Sequence, residues 1–513
     1  MTTRSQKRSA RGRRAAAQAR SQSGVAQLSW RQVENPYRPV EPISHDEVEA
    51  IHESSLRILE EIGIKVLSPR AREILASSGV DVDDSTEIVK FDRGLVAEQM
   101  NLAPSEFAMR ARNPERNLRI GGRNVVFCST GGPAFVTDIK RGRRQGTYAE
   151  QCDYIRLIHS LNIIHQEGGG AFEALDLPQE SRHLDLYYGL ITLTDKNWTP
   201  WCLGRERSRD ALAMLAIALG ESIEELADKP PLFSCIINTN SPLQIDIPMA
   251  EGLIEMARHG QCITVTPFTL AGAMAPITLA GALAQQNAEA LAAIVLAQCV
   301  RPGVPVAYGA FTTNTDMRTG APAFGTPEYV LGAQISGQLA RLHRLPFRSS
   351  VVTTAHAVDA QAAYESQMAL WGAINGHANI IKHAAGWVGG GLTASFEKII
   401  IDAEMLQMIA AYLEPPEISD ATLALEAIRD VGPAGHFFGT AHTLERYETA
   451  FYQPLVSDWD NYENWMERGA NSVTERAHDV GLKLLQEYQQ PPIDEAIDEA
   501  LKDYVDRRKR DIH

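Results

Sequence analysis

Residues 124–168 contain NVVFCST (124–130), TYAEQCDYIRLIHSL (147–161) and NIIHQEG (162–168), which read as strand, helix and strand. The two outer runs are short and apolar, as strands buried on both faces are. The middle run has an apolar series at Tyr154, Leu157, Ile158 and Leu161, and Thr147 with Glu150 makes a capping box at its start. The same alternation continues downstream. Strand-like runs recur at 197–204, 231–240, 262–268, 305–311, 346–354 and 379–386, which makes eight in all. Helical patterns lie between them, with start or stop signals at Ser208, Gly220, Thr326-Pro327 and Asp359. Eight strands alternating with helices predict a closed (β/α)8 barrel rather than an open doubly wound sheet. Neither G-x-G-x-x-G at the first unit nor G-x-x-x-x-G-K-[ST] anywhere argues for a nucleotide fold.

Working outward from the barrel (121–412), residues 32–120 are expected to form a helical and mixed segment and 413–513 a helical extension. Residues 1–31 hold eight Lys or Arg and no acid, and are expected to be a basic disordered tail. A targeting peptide or a docking arm for an acidic partner are the other readings of that tail. The remaining 482 residues carry 41 basic and 64 acidic groups, a balance of −23, which excludes a nucleic-acid surface for the body of the chain. At 44% hydrophobic and 22% charged residues, the composition excludes wholesale disorder. The uncharged stretch 267–284 is Ala/Gly/Thr-rich and broken by Pro276, so barrel strand and loop fit it better than a bilayer span. Six dispersed cysteines form no C-x-x-C, so neither a bound metal nor a disulfide scaffold is expected. The chain is expected to be cytoplasmic and homo-oligomeric.

Chemistry in such barrels sits at the C-terminal strand ends. Those ends offer Glu167, Trp201, Phe268, Tyr308, Phe311, His356, His383 and Trp387, with Trp371 and Phe396 on the last helices. Aromatic rings recur there and fixed cations are nearly absent. Any one ring is more often core than cage, but the recurrence suits a bulky organic cation, which ring faces can hold without hydrogen bonds. Glu167 ends a buried strand beside three glycines and is a better candidate than most acids. His436 and His442 make a weak metal pair.

Five segments carry a resemblance over nearly the whole chain from Trp30: 266–292, GAPAFGTPEYV (320–330), VDAQAAYES (358–366), KHAAGWVGGGLTASFEK (382–398) and GPAGHFFGTAHT (432–443). Through them the chain resembles the trimethylamine methyltransferase superfamily, in its subgroup lacking pyrrolysine. The resemblance implies a (β/α)8 barrel and methyl transfer from an amine to cob(I)alamin on a separate corrinoid protein, no cofactor being bound by this chain. An all-standard sequence shifts the implied substrate from trimethylamine to a quaternary amine such as a betaine. It also implies His383 as a catalytic or orienting residue and Trp387, Phe396, Phe311 and Tyr308 as the pocket, with Trp201 and Trp371 as lesser candidates; Glu167 joins His383 as a catalytic candidate by its place at a strand end. Two other readings stand beside it: a barrel lyase or hydrolase acting on a carboxylated amine without corrinoid, and a non-catalytic amine-binding protein.

Overall fold

The computed structural model describes residues 24–512. Six strands, β1 (Asn124–Ser129), β2 (Ser234–Ile237), β3 (Cys262–Val265), β4 (Val306–Gly309), β5 (Phe347–Ser350) and β6 (Ile380–Ala385), pair in parallel in the order β1-β6-β5-β4-β3-β2. The circle is completed by single parallel bridges Cys128↔Gln166, Gln166↔Asn197 and Trp198↔Phe233. Eight parallel staves therefore close into a barrel. Two of them are thinner than the sequence suggests, because side chains replace ladder bonds there. His165 Nδ1 accepts the Phe127 N–H at 2.9 Å, and Asn197 Nδ2 donates to the carbonyls of Arg110 and Leu232.

Along β1 the period of two is explicit. Val125 and Phe127 join the large core under the helices, whereas Val126 and Cys128 join a second cluster inside the barrel. That inner cluster also holds Met109, Leu118 and Ile120 from the hairpin Glu106–Met109/Leu118–Gly121. The hairpin stoppers the N-terminal end, so the barrel opens only at the opposite face.

The outer ring includes α1 (Tyr148–Ser160), whose Thr147/Glu150 capping box is formed, and α2 (Arg205–Leu219), which ends on left-handed Gly220. Ser208 does not cap α2; Gly204 does, and the Ser208 hydroxyl donates back to its carbonyl. It continues with α3 (Leu279–Val300), α4 (Pro327–Leu342), α5 (Ala360–Asn375) and α6 (Lys398–Tyr412). α3 is long and apolar enough to cross a membrane, yet 83% of its most apolar 18-residue window is buried within the protein. Of the stretch expected to be a basic tail, residues 1–23 lie outside the described residues. Residues 24–31 are docked instead: the Leu28 N–H donates to Gln407, His165 Nε2 pairs with the Arg31 carbonyl, and Arg116 lies 4.8 Å over Trp30. At the other end, α7 (Val473–Gln486) packs on α6 and α1. α8 (Glu495–Ile512) reaches α2 through Tyr504 and Arg508, both bonded to Asp210.

Candidate active site

The mouth is built around an irregularity in β6. Its pairing register shifts between Ile381 and Ala385, and within that bulge His383 has φ +55°. Regular alternation from inward Ile380 would send His383 outward with Ile381. The left-handed residue turns the imidazole back into the mouth, where Nδ1 lies 3.2 Å from Ser350 Oγ. A non-glycine residue in this region costs roughly 1–2 kcal/mol, and such strain concentrates at functional sites.

Against His383 stands an aromatic wall. Its ring centre is 4.3 Å from Trp387 and 5.9 Å from Phe311. Phe324 lies 6.0 Å from Trp387 and 5.5 Å from Phe311, Phe268 lies 5.1 Å from Phe311, and Tyr329 closes the back at 6.2 Å. Two polar anchors fix the wall: Trp387 Nε1 donates to the Thr353 carbonyl and Tyr329 Oη to the Ser350 carbonyl. Loop 386–391 is tied down from behind, where the Gly386 N–H donates to Asp402, itself paired with buried Lys398. The wall thus joins His383, Trp387 and Phe311 with three rings outside the pocket set read from sequence. Phe324 and Tyr329 lie in GAPAFGTPEYV (320–330), after the sixth strand end and beyond the positions that strand ends single out.

Cations are not absent from the barrel. Lys382 and Arg348 are both buried inside it. Lys382 is satisfied by Gln166 and Thr199. Arg348 is not: Nη1 makes one long contact to the Ala310 carbonyl, and buried Nε has no partner. Its guanidinium lies 5.5 Å from the Phe311 ring centre. Burial lowers its pKa to about 10, so it stays charged at neutral pH. Burial, followed by the charges of Arg348 and Lys382, pushes His383 well below its usual range, so the imidazole is neutral. Thr130 Oγ1 after β1 and Thr266 Oγ1 after β3, on opposite sides of the barrel, are also buried without partners. Unsatisfied buried groups of this kind point to a polar ligand.

Glu167 and Trp201 share the opposite side. Glu167 accepts the N–H groups of Gly169 and Gly170 at 2.7 and 2.8 Å, and Trp201 Nε1 donates to the Gly169 carbonyl. Both brace the glycine loop. Burial raises Glu167 to about 7 against those hydrogen bonds and the Lys382 charge. Folding therefore binds a proton here between the ordinary carboxylate range and pH 7, and this group's contribution to stability falls as pH rises through that window. Glu167→Gln should accordingly gain melting temperature relative to wild type from pH 5 to pH 8. A pH-independent difference in thermal scans would rule this out.

The remaining aromatic candidates lie elsewhere. Tyr308 follows inward Ala307 and points outward by alternation, its hydroxyl bonded to Asn287 and Gln286 on α3. Trp371 sits on α5 with its ring against Tyr412, outside the barrel. Phe396 meets Tyr154 edge to face and lines a separate cavity of about 330 Å³ with Asp138, Arg141 and His478. His436 and His442 lie on a surface segment, and no group of three potential metal ligands occurs among the described residues.

Comparison with known proteins bears on what this mouth does. Residues 9–513 match the family model "Trimethylamine methyltransferase (MTTB)". The chain is 35% identical to a glycine betaine methyltransferase of Desulfitobacterium hafniense (strain Y51), over 92% of this chain and 97% of that one. It is 31% identical to the trimethylamine methyltransferase MttB of D. hafniense (strain DSM 10664 / DCB-2), over 90% and 93%. The crystal structure of the Methanosarcina barkeri monomethylamine methyltransferase superposes with a TM-score of 0.53 at 13% identity, over 91% of this chain and 92% of that one, and shares the fold.

Proposed function

This chain belongs to the trimethylamine methyltransferase (MTTB) family and is an amine methyltransferase, and from that premise we propose that its substrate is a quaternary amine bearing a carboxylate, a betaine. The observation that carries the proposal is the pairing of an aromatic wall with a buried, under-bonded Arg348. A trimethylammonium group has no N–H and is held by ring faces, each contributing roughly 0.5–2 kcal/mol. A carboxylate matches the guanidinium fork, and a charge-assisted pair in a low-dielectric barrel is strong. With the carboxylate on Arg348 inside the barrel, the ammonium lies among Trp387, Phe311 and Phe324 and presents a methyl outward. A neutral His383 adds no charge against the cation.

The methyl acceptor in this reading is a corrinoid on a partner protein, which when bound supplies a strongly nucleophilic Co(I). The rim that meets such a partner is apolar: Ile277, Met317 and Leu392, on the loops after β3, β4 and β6, are each more than half exposed. The methyl leaves its C–N electron pair on a neutral tertiary amine, so the leaving group needs no proton. What remains for this chain is to desolvate, orient and hold the cation in line. His383 and Trp387 are placed to do so at the methyl end. Six free cysteines suit a cytoplasmic setting.

The test is methyl transfer to cob(I)alamin from glycine betaine, proline betaine, carnitine, choline and trimethylamine. Carboxylated quaternary amines should react, with choline and trimethylamine far behind. Trimethylamine turnover exceeding every betaine would defeat the proposal, and betaine consumption without corrinoid would favour a lyase or hydrolase.

A further inference from the structure

Three neighbouring strands place two unsatisfied groups in one row across the barrel. Val265 at the end of β3 pairs with Tyr308 of β4, and Gly309 of β4 pairs with Arg348 of β5. The ladder runs one residue past β3, since the Thr266 N–H still donates to the Ile237 carbonyl. Thr266 is therefore level with Gly309, and Gly309 with Arg348. All three face inward: Thr266 is four residues from Cys262 and Gly309 two from Ala307, both in the inner cluster, and Arg348 pairs with inward Ile380.

The middle position has no side chain, and its space is taken. A Cβ at Gly309 would overlap Thr266 Oγ1 and the Val265 carbonyl, so the hydroxyl leans over Gly309 on the way to Arg348. The strand that carries Arg348 is about 4.8 Å beyond. From the other flank Asn238 Nδ2 donates to the Thr266 carbonyl at 3.0 Å and holds this strand end. Both Thr266 and Arg348 are almost wholly buried, and neither Thr266 Oγ1 nor Arg348 Nε has a partner. A valine has the shape of threonine and would avoid the cost of a buried hydroxyl without a hydrogen bond.

We propose that the Thr266 hydroxyl is a second donor to the substrate's carboxylate beside Arg348, and that Gly309 determines specificity by leaving the hydroxyl its place. This rests on the betaine reading of the same mouth. A carboxylate accepts at about four lone-pair sites, so a guanidinium fork leaves room for a hydroxyl. Choline carries the same trimethylammonium group and brings no charge to the row.

Calorimetric titration with glycine betaine and choline tests this on wild type, Thr266→Val, Thr266→Ser and Arg348→Met. Thr266→Val should weaken glycine betaine about tenfold, the scale of one hydrogen bond to a charged group, and choline much less. Thr266→Ser should keep most of the affinity, and the melting temperature of Thr266→Val should hold or rise. Gly309→Ala should act as Thr266→Val does; if it fails to fold, the two Thr266 variants decide. Unchanged betaine affinity in Thr266→Val, or equal losses for both amines, overturns the proposal, and the betaine reading survives where Arg348→Met still separates the two. Where Arg348→Met does not separate them, the betaine reading fails and this proposal falls with it.

Discussion

Replacing Arg348 by methionine should lower kcat/KM for a betaine by about 100-fold and leave affinity for choline nearly unchanged, the scale expected when a charge-assisted hydrogen bond worth roughly 1.5–3 kcal/mol is lost. Arg348 is almost wholly buried, keeps its charge, and has one long hydrogen bond and an Nε with none. A guanidinium carries five donors, so most of its capacity is open to the carboxylate of the proposed substrate. Choline shares the trimethylammonium group and lacks the carboxylate, so the aromatic wall alone should bind it in both proteins. Arg348→Lys keeps the charge without the planar fork and should recover part of the loss. Stability should hold or rise, because an incompletely paired buried cation gives way to an apolar side chain of similar length. Calorimetric titration with both amines separates the outcomes. Equal losses for glycine betaine and choline would make Arg348 a structural residue and withdraw the carboxylate from the proposed substrate.

The barrel is legible because parallel strands covered on both faces read as nearly unbroken apolar runs, as VVFC in β1 and VAY in β4 do. The staves through Gln166 and Asn197 were read as full strands since periodicity does not register that His165 and Asn197 take up backbone partners with their side chains. Facing was less legible than existence. A period of two from Ala307 already turns Tyr308 outward, and the same period from Ile380 and Phe347 turns Lys382 and Arg348 inward. Strand ends taken without that period admit Tyr308 and miss both cations. His383 is the converse case: alternation gives the wrong face, and only the bulge, which no local motif announces, brings the imidazole inside. Phe324 and Tyr329 come from the loop and helix after β4, and only the closed barrel shows that their rings meet Phe311 and Trp387.

For His383 two substitutions separate side chain from backbone. His383→Gly removes the imidazole and relieves the left-handed strain, whereas His383→Ala removes the imidazole and keeps the strain. If the ring orients substrate, both should lower methyl transfer to cob(I)alamin by at least about tenfold, the scale of one lost hydrogen bond. Their stabilities should differ, glycine being about 1 kcal/mol the more stable because only alanine carries a Cβ at this φ. The imidazole's depressed pKa adds a third signature. A group held neutral in the fold and protonated when unfolded contributes stability above its ordinary pKa of 6.5 and loses it as pH falls below that value. Both variants should therefore lose less stability than wild type on acidification below pH 6.5. Between pH 7 and 8 the wild-type transfer rate should show no titration from this ring. Variants that fold, keep full transfer rates and differ only in melting temperature would make His383 a packing residue of the aromatic wall. The wall would then act through Trp387 and Phe311, with the bulge in β6 serving only to seat them.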